Sequence, residues 1–108
     1  MAKGGVYING LLAGTLEKEA DGIYRFRYED DYFYDNSRPS ISLTLPKTIQ
    51  AYESTDLFPF FYGLLAEGVN KDIQCRLLKI DEEDDFTRLL KTAGEDTIGA
   101  VTVKELAA

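Results

Sequence analysis

Apolar and polar residues alternate with a period of two along the first half of the chain and change to helical spacing in the second. The segments GGVYING and LLAGTLEKE read as two strands joined at Asn9-Gly10, a pair that tolerates the positive φ of a tight hairpin turn. Asp21-Gly22 marks the next turn. Ile23, Tyr24, Phe26 and Tyr28 then form a third strand, with Arg25 and Arg27 pointing to its other face. DYFYDNSRPS reads as a loop or irregular edge. ISLTLP alternates Ile41, Leu43 and Leu45 with Ser42 and Thr44 and meets Pro46, the pattern of a half-buried strand with a stop.

Beyond residue 50 the period changes. Ser54, Thr55 and Asp56 offer helix N-caps, and Pro59 suits a first helical turn. Phe60 through Leu65 then make a short apolar helix ending near Gly68. NKDIQCRLLKI is a second helix, capped by Asn70, with Ile73, Leu77 and Leu78 on one face. DEEDDFTRLLKTAG is a third, its acids at the start and Lys91 near the end complementing the helix dipole, with Gly94 as terminator. IGAVTV closes the chain as a final strand. The pattern predicts an α+β fold: a small, mainly antiparallel sheet packed with three short helices, in one domain spanning residues 1–108.

One stretch departs from ordinary amphipathic spacing. LFPFFYGLL places three phenylalanines, a tyrosine and three leucines in nine residues, then breaks into Ala-Glu-Gly. Either the following helices cover this run as core, or part of it and the loop Ala66–Lys71 form an exposed apolar patch. On a small domain such a patch marks a partner surface.

Composition narrows the chemistry. The chain has 108 residues and a net charge of −7, with no histidine and one cysteine, Cys75. Zinc sites that use histidine, Ser-His-Asp triads and Cys-His dyads are excluded, as is an internal disulfide. Cys75 lies mid-helix beside only Arg76 and reads as a small packed residue. The acid run Asp81–Asp85 lacks the alternating ligands and mid-loop glycine of a calcium site and reads as a helix start. The glycines of GGVYINGLLAG lack P-loop spacing and lie between strands. No metal or cofactor is therefore expected. The aromatics and arginines of YRFRYEDDYFY could mimic a base-stacking sheet, but the acids that follow oppose a polyanion. A sheet face of core aromatics is the preferred reading, and no direct nucleic-acid binding is expected. No apolar run reaches the roughly 20 residues of a membrane span, and the N-terminus has no apolar signal core. The chain reads as cytoplasmic.

Taken together, VYINGLLAGTL, YRFRYEDDYF, ISLTLP, LFPFFYGLLAEG and DDFTRLLKTAGEDTIGAVTV resemble the N-terminal subdomain of the HipA family of serine/threonine kinase toxins. The resemblance runs from about Val6 to Val103. The family's FF.NLLPEG pattern falls on Phe60, Phe61, Leu64, Leu65, Glu67 and Gly68, with Ala66 where proline is usual. Its F.LL...G.D..GAV pattern falls on Phe86, Leu89, Leu90, Gly94, Asp96, Gly99, Ala100 and Val101. In the full-length toxins a kinase body follows. Here no catalytic Asp motif, metal-binding Asn/Asp pair or ATP-gripping loop is present, and a kinase needs all of them.

The resemblance implies a binding protein and not an enzyme. It points to the stand-alone HipS antitoxins of tripartite HipBST systems, which neutralise a shortened kinase, HipT, alongside a DNA-binding HipB. A chain that starts with Met and ends soon after its last strand suits a complete small gene. By the same resemblance, Ala66, Glu67, Gly68, Val69, Asn70 and Lys71 are the expected kinase-binding segment, presented near the kinase active site. The competing readings are an isolated N-terminal subdomain of a full-length HipA-type kinase and a generic adaptor.

Overall fold

A computed structural model describes residues 3–65, 68–93 and 101–106. Strands β1 (Lys3–Ile8), β2 (Leu11–Lys18), β3 (Tyr24–Tyr28), β4 (Ala51–Ser54) and β5 (Val101–Glu105) form one sheet in the order β4-β3-β2-β1-β5. Every pairing is antiparallel. The helical segments are α1 (Asp30–Phe33), α2 (Pro59–Tyr62), α3 (Gly68–Leu78) and α4 (Asp85–Thr92). The α+β architecture expected from the sequence is the one observed.

Both turn signals act as the sequence implies. Asn9 and Gly10 have φ of 51° and 82°, the doubly left-handed pair that a two-residue hairpin requires. Gly22 has φ of 85°, and the Asp21 carboxylate accepts from Ile23 N at 3.0 Å across that turn. One irregularity was not legible. The β1–β2 register shifts between Val6 and Tyr7, which pair with Gly14 and Leu12, so Ala13 is an extra residue. Its freed carbonyl accepts from Glu29 N at 2.9 Å, tying the bulge to the end of β3. Gly14 is required there: a Cβ would lie 2.5 Å from the Arg27 carbonyl oxygen and under 3 Å from the Phe26 ring.

The two sheet faces differ in chemistry. Val6, Leu16, Tyr24, Phe26, Tyr28, Val101 and Val103 are buried under α2 and α4. Phe61 of α2 meets Phe26 at 5.6 Å between ring centroids, and Phe86 of α4 meets Tyr24 edge-on at 5.9 Å. Helix α4 is fixed further by Asp84, whose carboxylate accepts from Thr87 N at 3.1 Å. Its other end is held by the Ala93 carbonyl, which accepts from Val103 N of β5 at 2.8 Å. The opposite face carries ion pairs across the strands: Lys3–Glu17 at 3.3 Å, Arg25–Glu53 at 3.2 Å and Arg25–Glu19 at 3.5 Å.

Three local expectations are corrected. ISLTLP is not a strand: Ile41 and Leu45 are buried, but Leu43, in the same period-two set, is 98% exposed. Its backbone groups go to a side chain. The Tyr28 hydroxyl donates to the Leu45 carbonyl and accepts from Ile41 N at 3.1 Å, while Ser42 Oγ accepts from Thr44 N at 3.1 Å. The edge of the sheet is taken by β4, in a segment whose Ser54 had read as a helix cap. The residue before α2 is Phe58, which provides no side-chain cap; Pro59 at the first helical position has no N–H to satisfy. Finally, Asp30–Phe33 forms one helical turn where a loop was expected, with Asp30 and Asp31 in the first turn.

Candidate partner-binding surface

The aromatic run is mostly core. Leu57, Phe58, Phe61 and Leu65 are buried, Phe60 and Leu64 are half-buried against the same cluster, and only Tyr62 of the large side chains is exposed. The four-residue helix α2 explains why so dense a run can be accommodated. Phe58 precedes the helix and Leu64 and Leu65 follow it, with Leu64 N and Leu65 N bonded to the Phe61 and Tyr62 carbonyls at 3.0 and 3.1 Å. The chain turns tightly and presents consecutive residues to the sheet, which a longer regular helix could not do. Of the two readings left open for this run, packing by the core accounts for most of it.

The expected contact segment is divided. Ala66 and Glu67 lie outside the described residues. Gly68, Val69, Asn70 and Lys71 are not a loop: they form the first turn of α3, and Asn70 is its third residue instead of its cap. The helix therefore starts two residues earlier than the sequence suggested. Asn70 is exposed and Lys71 half-buried. At its other end α3 stops with Lys79 at φ of 57°, and Ile80 N bonds to the Cys75 carbonyl at 2.9 Å, closing a Schellman-type turn on a residue other than glycine.

The exposed apolar surface lies on α3. Ile73, Leu77 and Leu78, which the sequence groups on one helix face, are exposed, Leu77 at 75%. Cys75 is buried. Periodicity carries little warning of this, because three aliphatics near helical spacing look the same whether they face a core or solvent.

A second aromatic segment, Tyr32 to Tyr34, is split by burial. Tyr32 is buried, and its ring stacks on Tyr28 with an interplanar angle of 2°. Its hydroxyl donates to the Pro39 carbonyl at 2.6 Å, and Lys47 Nζ sits 5.0 Å from its ring centroid. Burial pushes the Tyr32 hydroxyl pKa up, with the Arg38 charge acting against it. Tyr34 is exposed. Beside this segment a cleft of about 340 Å³ is lined by Leu11, Leu12, Glu29, Asp31, Tyr32, Asp35 and Arg38. Asp35 is held below its ordinary pKa first by hydrogen bonds from Ser37 and then by the Arg38 charge.

The β3 aromatics do not form a stacking platform. Tyr24, Phe26 and Tyr28 are buried, and the outward Arg25 and Arg27 are paired with Glu53, Glu19 and Asp30. An arginine engaged with a carboxylate on the same surface has little positive field to offer a phosphate backbone.

Comparison with known proteins places this geometry in context. The family model described as HipA N-terminal domain matches residues 5–104. An uncharacterized protein of Haemophilus influenzae is 34% identical over 102 residues, covering 94% of this chain and 91% of that protein. A Sinorhizobium fredii protein named "Putative kinase Y4mE" is 28% identical over 96 residues, covering 89% of this chain but 23% of its own length. Among solved structures, one titled "N-terminal domain of HipA toxin" superposes with a TM-score of 0.73 at 29% identity, covering 99% of this chain and 94% of that one.

Proposed function

Because the chain belongs to the HipA N-terminal domain family, we propose that it is an antitoxin that binds a HipA- or HipT-type serine/threonine kinase toxin and holds it inactive. The observation that carries this reading is the match over nearly the whole chain to the N-terminal domain of a HipA toxin. That domain is not the kinase catalytic domain, so the chain contributes a surface and not a reaction. It works in the cytoplasm, where the kinase acts, and a HipB-like DNA-binding protein is the third member of the complex. The net charge of −7 leaves DNA contact to that partner. The kinase meets the segment Ala66–Lys71, which leads out of the buried aromatic run into α3.

A second reading has one observation in its favour. Y4mE carries a matching segment within a chain about four times as long, so the same domain also serves as part of larger proteins. The sequence downstream of Ala108 in the gene separates the two.

The test is co-expression and titration with a HipA- or HipT-type serine/threonine kinase. The antitoxin reading expects a stable complex in which phosphorylation is suppressed, and a kinase that stays active at saturating concentrations of this chain refutes it. Glu67→Arg combined with Val69→Asp is expected to weaken the complex by about 2 kcal/mol or more. Its stability cost should be about 1 kcal/mol or less. Phe61→Ala is the contrasting control: its side chain is fully buried, so it should cost roughly 3–5 kcal/mol in stability first.

A further inference from the structure

Helix α3 leaves Ile73, Leu77 and Leu78 at 47%, 75% and 48% exposure, with Ile73 and Leu77 one turn apart. Among the described residues, the core face of the sheet is covered by the aromatic run and α4, and these three side chains are not part of that core cluster. The helix and its C-cap also differ in charge from the rest of the molecule. Lys71, Arg76 and Lys79 stand against one acid, Asp72, within a chain of net charge −7.

We infer that the exposed Ile73–Leu77 face of α3 docks into an apolar groove with an acidic rim on the partner kinase. The inference rests on the kinase-binding reading and extends the contact from Ala66–Lys71 along the helix that continues it. Charge selects this occupant over a second copy of the chain. A two-fold dimer through α3 would bring Lys71, Arg76 and Lys79 of one copy towards the same residues of the other. The net charge of −7 adds repulsion between copies. An acidic rim meets the same three cations favourably and steers association. Two aliphatics one turn apart, flanked by charge, are the helix-in-groove form of recognition.

The experiment measures affinity for a full-length HipT-type serine/threonine kinase. It compares wild type with Ile73→Glu/Leu77→Glu, Arg76→Glu and Leu43→Glu, each with its thermal midpoint. The aliphatic double variant should lose at least about 100-fold and Arg76→Glu about 3- to 10-fold. Leu43→Glu, at a still more exposed leucine elsewhere on the surface, should stay within about twofold of wild type. If the double variant melts early, Leu77→Gln carries the same comparison. A kinase that binds wild type and the aliphatic variants equally overturns the proposal while leaving kinase binding intact. A kinase that binds no form of the chain overturns the underlying reading, and the proposal with it. Equal loss in Leu43→Glu also overturns it, because the apolar contribution would then be non-specific. So does a wild-type dimer in sedimentation that Ile73→Glu/Leu77→Glu dissolves, or α3-dependent binding to anionic phospholipid vesicles in place of the kinase.

Discussion

Replacing Tyr28 with phenylalanine isolates the device that holds residues 41–45 to the sheet. The ring would remain, keeping its stack on Tyr32 at 5.9 Å and its edge contact with Phe26 at 4.9 Å, so no cavity forms. What is lost is one oxygen serving two buried backbone groups, the Ile41 N–H and the Leu45 carbonyl. A buried polar group left without a partner costs about 1–3 kcal/mol. Two of them give about 2–4 kcal/mol once some rearrangement toward water is allowed. Urea denaturation should show a lower midpoint with an unchanged slope, since the surface exposed on unfolding is nearly the same. Hydrogen exchange at Ile41 should accelerate. Tyr32→Phe is the reference, losing a single bond to the Pro39 carbonyl for about 1 kcal/mol.

The same hydroxyl has a pH signature. Burial raises the Tyr28 pKa above its ordinary 10.0, against the lowering effect of its hydrogen bond from Ile41. Its contribution is therefore present in full below pH 10 and lost as pH climbs through the raised folded value. Tyr28→Phe should remove that part of the alkaline decline. A cost under about 0.5 kcal/mol, with Ile41 exchange unchanged, would refute the assignment of the hydroxyl as the anchor of this segment.

Two further substitutions test the helix and loop chemistry. Lys79→Gly should stabilise the protein by about 0.5–1 kcal/mol in denaturant melts, because Lys79 holds φ of 57° at a position glycine occupies without strain. Asp30 is held below its ordinary pKa of 3.8 by hydrogen bonds from Gln50 and Arg27, so its stabilisation is present above that value and lost as pH falls through the folded one. The thermal midpoint of Asp30→Asn should lie below wild type at neutral pH and converge with it as pH falls through the lowered folded value.

Much of this fold was legible because its signals are local. Asn9-Gly10, Asp21-Gly22 and the alternation of Tyr24 to Tyr28 each specify a conformation within a few residues. The errors occur where a long-range partner decides. Ile41 and Leu45 alternate as a strand would, yet a tyrosine 13 and 17 residues away satisfies their backbone, and no period in the sequence encodes that. Ala51–Ser54 carries only Tyr52 as a large apolar residue, and becomes a strand through pairing with β3. For the candidate site, the dense aromatic run was the conspicuous signal. Its density served the core, while the sparser helix after it remained exposed. Burial is a competition for one finite sheet face, and sequence pattern does not record which segment wins it.

That competition makes the behaviour of α3 a distinct physical test. An isolated 11-residue helix is marginal in water, and among the side chains of α3 whose burial is described only Cys75 is a buried apolar one. Helix α4 is shorter, yet it buries Phe86, Leu89 and Leu90, has a side-chain N-cap at Asp84 and joins β5 through Ala93. Local stability follows such anchoring and not helix length. In the free protein, α4 amides should therefore open only with free energies near that of global unfolding, whereas α3 amides should open at about 2 kcal/mol or less. Native-state hydrogen exchange measures both in one experiment. Lys79→Gly should slow exchange in α3 more than in α4, because it relieves strain at the α3 terminus. Equal protection of the two helices in the free protein would mean that Cys75 and the Schellman turn are sufficient to anchor α3. The expectation of a weakly held helix would then fail, whatever binds its exposed face.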